Sequence, residues 1–126
     1  MNLFSMKAGE AYVLSQTSAL ADKIWNFKNP GEQIDRDDRE YISWINSLPV
    51  LLKCVHDAGL DDLYVVFEMK TPISNKAIDV ILLGSAKRNP DQMRILVVEL
   101  KQWSSIKTAR VYDTNKVYVT DLKAFC

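Results

Sequence analysis

The apolar residues in the first half of the chain recur at the spacing of helices. A helix over residues 8–27 would carry one apolar face, formed by Tyr12, Leu20, Ile24 and Phe27. The Ser/Thr stretch at 15–18 weakens this pattern, because such side chains compete for backbone hydrogen bonds. We predict a first helix here.

A second helical pattern is longer and more regular. Its apolar stripe recurs at i, i+3, i+4 and i+7, through Tyr41, Trp44, Ile45, Leu48, Leu51, Leu52 and Val55. Asp37 or Asp38 is suited to cap the amino end, and Gly59 to stop the carboxyl end. Pro49 lies inside the stripe and must kink the helix or divide it in two, because it has no N–H to donate.

The pattern then changes to that of strands. Three apolar runs follow: LYVVFEM (63–69), AIDVILLG (77–84) and RILVVELKQW (94–103). The seven-residue and nine-residue connections are too short for a crossover helix, which predicts an antiparallel meander. The second and third runs are apolar on both faces, which predicts cover on both sides of the sheet. We predict one domain over 1–126 of the α+β or α/β class, with helices in 8–58 and a three-stranded, mostly antiparallel sheet in 63–126.

Composition and charge narrow the class of protein. The chain has 126 residues, 48% of them hydrophobic, without an apolar run near the ~20 residues of a membrane span. The N-terminus lacks the features of a signal peptide. Cys54 and Cys126 are without metal-binding spacing and are interpreted as free thiols in a reducing cytoplasm. Residues 1–69 hold 6 basic and 11 acidic residues and residues 70–126 hold 10 and 5, which permits a basic face in the second half.

Charged residues within the apolar runs indicate chemistry. Asp79 has aliphatic neighbours on both sides in sequence, and burying an unpaired carboxylate is costly. Glu99 and Lys101 point to one face of their strand, and a meander would bring Asp79 beside Glu99. Two such carboxylates suit Mg²⁺ or Mn²⁺, with Lys101 stabilising charge on a water or a phosphate. The alternatives are a structural Asp79–Lys101 salt bridge and an ordinary ion pair of an exposed strand.

Three segments carry a resemblance to a known family. They are EYISWINSLP (40–49), SNKAIDVILLG (74–84) and VVELKQWS (97–104). In this order they resemble the PD-(D/E)XK, or restriction-endonuclease-like, nuclease superfamily. They are most similar to the nuclease-like domain at the N-terminus of bacterial proteins that carry a helicase-like ATPase behind it.

The resemblance implies roles for individual residues. Asp79 and Glu99 would be metal ligands, the Leu100 carbonyl a third ligand, and Lys101 the residue that positions the attacking water. Gln102 would touch the phosphate or the water, and Glu40 would bring an additional carboxylate to the metal. Glu40 is otherwise a solvated glutamate at a helix start. Glu68 is a further candidate, with an ion pair to Lys70 or Lys76 as the alternative.

The resemblance also implies a substrate and partners. A DNase that uses Mg²⁺ or Mn²⁺ is the leading interpretation, with a helicase-like ATPase in a longer form. The chain lacks the final helix and strand of the superfamily core, which is typical of a truncated domain. A homodimer would cover the sheet face left open. The alternative function is an inactive remnant that binds nucleic acid or a partner protein.

Overall fold

Three helices and a four-stranded sheet make up the described part of the chain. The computed structural model describes residues 2–86 and 89–101. Along the chain it contains β1 (Phe4–Lys7), α1 (Ala8–Ser15), α2 (Ala19–Lys28), α3 (Arg39–Asp57), β2 (Tyr64–Lys70), β3 (Ala77–Ala86) and β4 (Asn89–Val98). The strands are arranged in the order β1-β2-β3-β4, and all neighbours are antiparallel. The predicted α+β class and antiparallel meander are confirmed, but the sheet has four strands instead of three.

The predicted first helix is two helices. α1 and α2 are separated at residues 16–18, where side chains take over backbone hydrogen bonding. The Ser15 hydroxyl donates to the Tyr12 carbonyl at 2.6 Å, and the Thr17 hydroxyl accepts from the Ala19 N–H at 3.1 Å. These local bonds offer the backbone an alternative to helical pairing, so the helix ends and begins again.

The second predicted helix is confirmed as α3. The Asp38 carboxylate accepts from the Tyr41 N–H at 3.1 Å, and Gly59 follows the helix with a φ of 74°, as glycine permits. Pro49 lies inside α3, which continues through it undivided. Six of the seven stripe residues are buried: Tyr41, Trp44, Leu48, Leu51, Leu52 and Val55. Ile45 is 38% exposed, at the side of the stripe.

The edge strands are where the sheet differs most from expectation. β1 pairs with β2, with Phe4 opposite Phe67, and this four-residue strand was not predicted. β4 begins at Asn89 and ends at Val98, so it starts earlier and stops earlier than the predicted run at 94–103. Asn89–Pro90 was interpreted as part of a connection but belongs to the strand. Glu99 and Lys101 consequently follow β4 and are not strand residues.

One face of the sheet packs on the helices. Val65, Phe67, Val80 and Leu82 share a core cluster with buried residues of α1, α2 and α3. Val66 and Ile81 alternate to the other face and are also buried, at 4% and 6% exposure. Cover on both faces is therefore confirmed for β3.

β4 is different, because much of its apolar surface is exposed. The exposed side chains, all more than half accessible, are Met93, Ile95, Leu96 and Val97. The expectation that this strand is covered on both faces is wrong for these residues. Because side chains alternate along a strand, Leu96 points to the face opposite that of Ile95 and Val97. The homodimer stays a prediction.

Two further expectations concern the compartment of the protein. Cys54, on α3, is disulfide-bonded, so its interpretation as a free thiol is wrong and the argument from free thiols to a reducing compartment no longer holds. Cys126 lies outside the described residues, as do the positions of the superfamily's final helix and strand. Among residues 2–86 and 89–101, no helix combines the length and apolar character needed to cross a membrane.

Candidate active site

The predicted site residues line one cleft at an end of the sheet. Its volume is about 420 Å³. The charged residues of the lining are four acidic and four basic ones: Glu40, Glu68, Asp79, Glu99, Lys28, Lys70, Lys76 and Lys101. Asp79, Glu99, Leu100, Lys101 and Glu40 are all among the residues that line the cleft. Gln102 and Trp103 lie outside the described residues.

Asp79 lies on β3 and is half-buried. Its Oδ2 accepts a hydrogen bond of 2.7 Å from the backbone N–H of Leu100, just past the end of β4. Burial raises the pKa of Asp79 above its ordinary value of 3.8, the Leu100 N–H opposes this shift, and the charge of Glu99 adds to it. The bond joins β3 to the segment that carries Glu99 and Lys101, so Asp79 also fixes the position of that segment.

Glu99 and Lys101 form an ion pair with each other. Lys101 Nζ lies 2.7 Å from Glu99 Oε1, and the two side chains are 46% and 71% exposed respectively. The hydrogen bond from Lys101 lowers the pKa of Glu99, and that of Lys101 is raised in return. Among the described residues Lys101 forms a salt bridge with Glu99 and none with Asp79, so of the two alternatives the structure shows the exposed ion pair and not the Asp79–Lys101 salt bridge. We call Asp79, Glu99 and Lys101 the strand-end group.

The same cleft also contains a lysine between two glutamates. Lys28, the last residue of α2, places its Nζ 2.8 Å from Glu40 Oε2 and 3.2 Å from Glu68 Oε2. Trp44 Nε1 donates to Glu68 Oε1 at 2.8 Å. We call Lys28, Trp44 and Glu68 the buried wall. Glu40 belongs to the cleft as predicted, but its carboxylate is paired with Lys28.

Glu68 has an unusual backbone. Its φ of 52° lies in the left-handed region, which is uncommon for a residue with a side chain. In a regular strand Glu68 would point away from the face on which its neighbour Phe67 packs. The left-handed turn lets the carboxylate reach Trp44 and Lys28 on the helix side. Such a conformation costs about 1–3 kcal/mol and persists only where the surroundings enforce it.

Burial shifts the pKa values of Glu68 and Lys28 in opposite directions. Burial raises the pKa of Glu68 above its ordinary value of 4.5, and the Trp44 and Lys28 partners only partly offset this. Burial lowers the pKa of Lys28, but Glu40 and Glu68 outweigh it and the pKa lies above the ordinary 10.5. The ammonium is therefore charged, and Glu68 depends on its two donors to be ionised.

Lys28 is the site residue that the sequence did not indicate. It is the final residue of an amphipathic helix, and its partners lie 12 and 40 residues further along the chain. Glu68 was a candidate, but the predicted ion pair with Lys70 or Lys76 is wrong because its partner is Lys28. The signal for such a partner was Glu68 itself, an acidic residue within the apolar strand β2.

The kinds of ligand in the cleft suit Mg²⁺ or Mn²⁺, but the carboxylates are not grouped as predicted. Asp79, Glu99 and a backbone carbonyl supply hard oxygen ligands, and Mg²⁺ is usually held by one or two carboxylates with waters and substrate completing the shell. Among the residues that the structure describes, no three of Asp, Glu, His and Cys lie close enough to hold a metal ion together. The set of three carboxylates that includes Glu40 is thus not drawn together in this conformation.

Comparison with known proteins adds no relative. No family model, no curated protein and no solved structure matches the chain.

Proposed function

We propose that the chain is a Mg²⁺- or Mn²⁺-dependent nuclease domain that hydrolyses phosphodiester bonds in DNA. The observation that carries the proposal is the meeting of Asp79, Glu99 and Lys101 in one cleft with basic residues at its rim. On this proposal α3 and β2–β4 correspond to the restriction-endonuclease-like core. A cytoplasmic location belongs to the same proposal.

Each residue has a part in the proposed reaction. Asp79, Glu99 and the Leu100 carbonyl would hold the divalent ion, which lowers the pKa of a bound water and neutralises the scissile phosphate. Lys101, beside Glu99, would position the water for in-line attack. The water oxygen forms the new bond to phosphorus, the bond to the leaving nucleoside oxygen breaks, and that oxygen takes up a proton.

The rim of the cleft supports a polyanionic substrate. Lys70 ends β2 and Lys76 precedes β3, and both side chains are exposed at the cleft. Exposed lysines attract phosphates regardless of base sequence and give binding that weakens with salt. Their place beside the strand-end group would hold a DNA backbone next to the proposed metal ligands.

Cleavage assays test the proposal directly. We expect the purified chain to cut linear, single-stranded or branched DNA with Mg²⁺ or Mn²⁺, and Asp79→Asn and Lys101→Ala each to reduce the rate about 100-fold, as removal of a metal or water contact does. The matched control is Lys53→Ala, an exposed lysine of α3 that does not line the cleft. Equal rates for all four proteins would reject the nuclease proposal.

A specific observation favours the second candidate, an inactive module that binds nucleic acid or a partner. Glu99 and Glu40 are each already paired with a lysine, through Lys101 and Lys28. This candidate predicts DNA binding that falls with salt but does not change when EDTA is added or Glu99 is replaced by Gln. Binding that needs Mn²⁺ and Glu99 would reject it.

A further inference from the structure

Lys28 lies between two carboxylates of the cleft. Its ammonium bridges Glu40 Oε2 and Glu68 Oε2, at 2.8 Å and 3.2 Å, and lies 5.8 Å from the centre of the Trp44 ring. The Lys28 side chain is 16% exposed and that of Glu68 only 9%. A buried ammonium held by two carboxylates and an aromatic face is fixed in place.

The contact between Lys28 and Glu40 conflicts with a metal ion at Glu40. Mg²⁺ binds a carboxylate oxygen at about 2.0–2.1 Å. An ion bound to the oxygen that Lys28 already contacts at 2.8 Å would stand less than about 5 Å from the ammonium. At this distance a double and a single positive charge repel strongly even under partial screening.

Of the two carboxylates that Lys28 bridges, Glu40 is the one for which Lys28 and a metal ion would compete. Glu40 is 62% exposed and is the outer of the two carboxylates that Lys28 bridges. Glu68 is 9% exposed and is held from its other oxygen by Trp44, so it is the more firmly fixed of the two, although the charge of Asp79 also acts on it. Glu40 is the more exposed carboxylate, and its charge raises the pKa of Asp79.

From these contacts we infer that Lys28 is a built-in competitor for the metal: its ammonium withholds Glu40 from the divalent ion and so lowers the metal affinity of the cleft. The inference rests on the proposed function, because it assigns a metal to the strand-end group. Glu68 and Trp44 act as positioning residues that hold the ammonium in place. The class of ligand affected is a divalent cation with oxygen ligands, such as Mg²⁺ or Mn²⁺.

Titration with Mn²⁺ alone tests the inference without any nuclease assay. The free Mn²⁺ signal in electron paramagnetic resonance, or calorimetry, gives the affinity for wild type and for Lys28→Met, which has similar length and no charge. We expect Lys28→Met to bind Mn²⁺ about tenfold more tightly, because Glu40 is released to the ion. Lys28→Arg keeps the charge and is expected to bind as wild type does. Lys23→Met, an exposed lysine on the same helix, is the matched control.

A double-variant cycle separates Glu40 from a general change in charge. Glu40→Gln alone is expected to change Mn²⁺ affinity little, because Lys28 already occupies this carboxylate. Adding Glu40→Gln to Lys28→Met is expected to abolish the tenfold gain. A gain that persists in the double variant would overturn the inference, as would unchanged or weaker binding by Lys28→Met.

The outcomes also distinguish this inference from the nuclease proposal. If wild type binds Mn²⁺ through Asp79 and Lys28→Met shows no gain, the inference fails and the nuclease proposal stands. If neither protein binds Mn²⁺, both fail. Melting curves establish that each variant is folded, and Lys28→Gln, which keeps hydrogen-bond donors, replaces Lys28→Met if the latter unfolds.

Discussion

The buried wall and the strand-end group lie in the same cleft but differ in how their charges are held. Glu68 is 9% exposed and receives hydrogen bonds from two side chains, whereas Glu99 is 71% exposed and pairs with one exposed lysine. Breaking a buried pair leaves an uncompensated charge, while exposed pairs are weak and exchange readily with solvent. The buried wall is therefore suited to stabilising the fold, whereas the exposed Glu99–Lys101 pair of the strand-end group can exchange its partners more readily.

The largest expected effect comes from Trp44, which belongs to both the core and the buried wall. Replacing a buried Trp by Ala typically costs about 3–5 kcal/mol of unfolding free energy. We expect Trp44→Ala to lose that amount and Trp44→Phe, which keeps most of the packing but not the N–H, to lose about 1–3 kcal/mol. Urea unfolding monitored by far-UV circular dichroism measures both. An equal loss for the two variants would mean that the hydrogen bond to Glu68 outweighs the packing.

The pH dependence of the unfolding free energy tests the ionisation of Glu68 in the buried wall. Because the pKa of Glu68 is raised when folded, the folded chain keeps a proton that the unfolded chain releases near pH 4.5. The stability from this group is present below pH 4.5 and is lost as pH rises through the folded pKa. Glu68→Gln has no such loss. We therefore expect the unfolding free energy of Glu68→Gln, relative to that of wild type, to increase as pH rises from 4 to 7.

Carboxylates that do not interact with Glu68 contribute equally to both proteins, since both contain them. Asp79 is not one of these, because its charge raises the pKa of Glu68, so the comparison reports on the two carboxylates together. Unfolding at several pH values, from the midpoints and slopes in urea, provides the measurement. A difference that narrows with rising pH would show that Lys28 and Trp44 hold Glu68 ionised more strongly than burial opposes it.

The smallest expected effect on stability belongs to the strand-end group. Lys101 is exposed and its ion pair with Glu99 faces solvent, so its removal takes little from the folded state. We expect the thermal midpoint of Lys101→Ala to equal that of wild type within error, although the cleavage rate falls. A clear loss of stability would mean that the pair is structural, and the contrast with the buried wall would no longer hold.

Sequence patterns predicted the parts of the fold that depend on local periodicity. The stripe of α3 and its Asp38 cap follow from neighbouring residues, as do the central strands β2 and β3. β1 was missed because Phe4–Lys7 is too short to show alternation and forms only by pairing with Phe67 and its neighbours. β4 was displaced because Asn89–Pro90 resembles a turn, although pairing with β3 makes it strand.

The residues of the candidate site also divide into those that the sequence indicated and those that it did not. Asp79, Glu99 and Lys101 were found because charged residues in apolar runs are anomalous within a short window. Lys28 gave no such signal, since a lysine at a helix end is ordinary and its importance arises from Glu40 and Glu68. The left-handed backbone of Glu68 was equally invisible, because no glycine or asparagine marks it.

The short strand β1 has a consequence for N-terminal truncation of this protein. β1 contributes only four residues, yet it shields the outer edge of β2 along Tyr64 to Phe67. Deleting the first seven residues would leave that edge with unpaired N–H and C=O groups between apolar side chains, and such bare edges recruit other chains. We therefore expect N-terminally truncated versions to aggregate, even though the deleted segment lies outside the cleft.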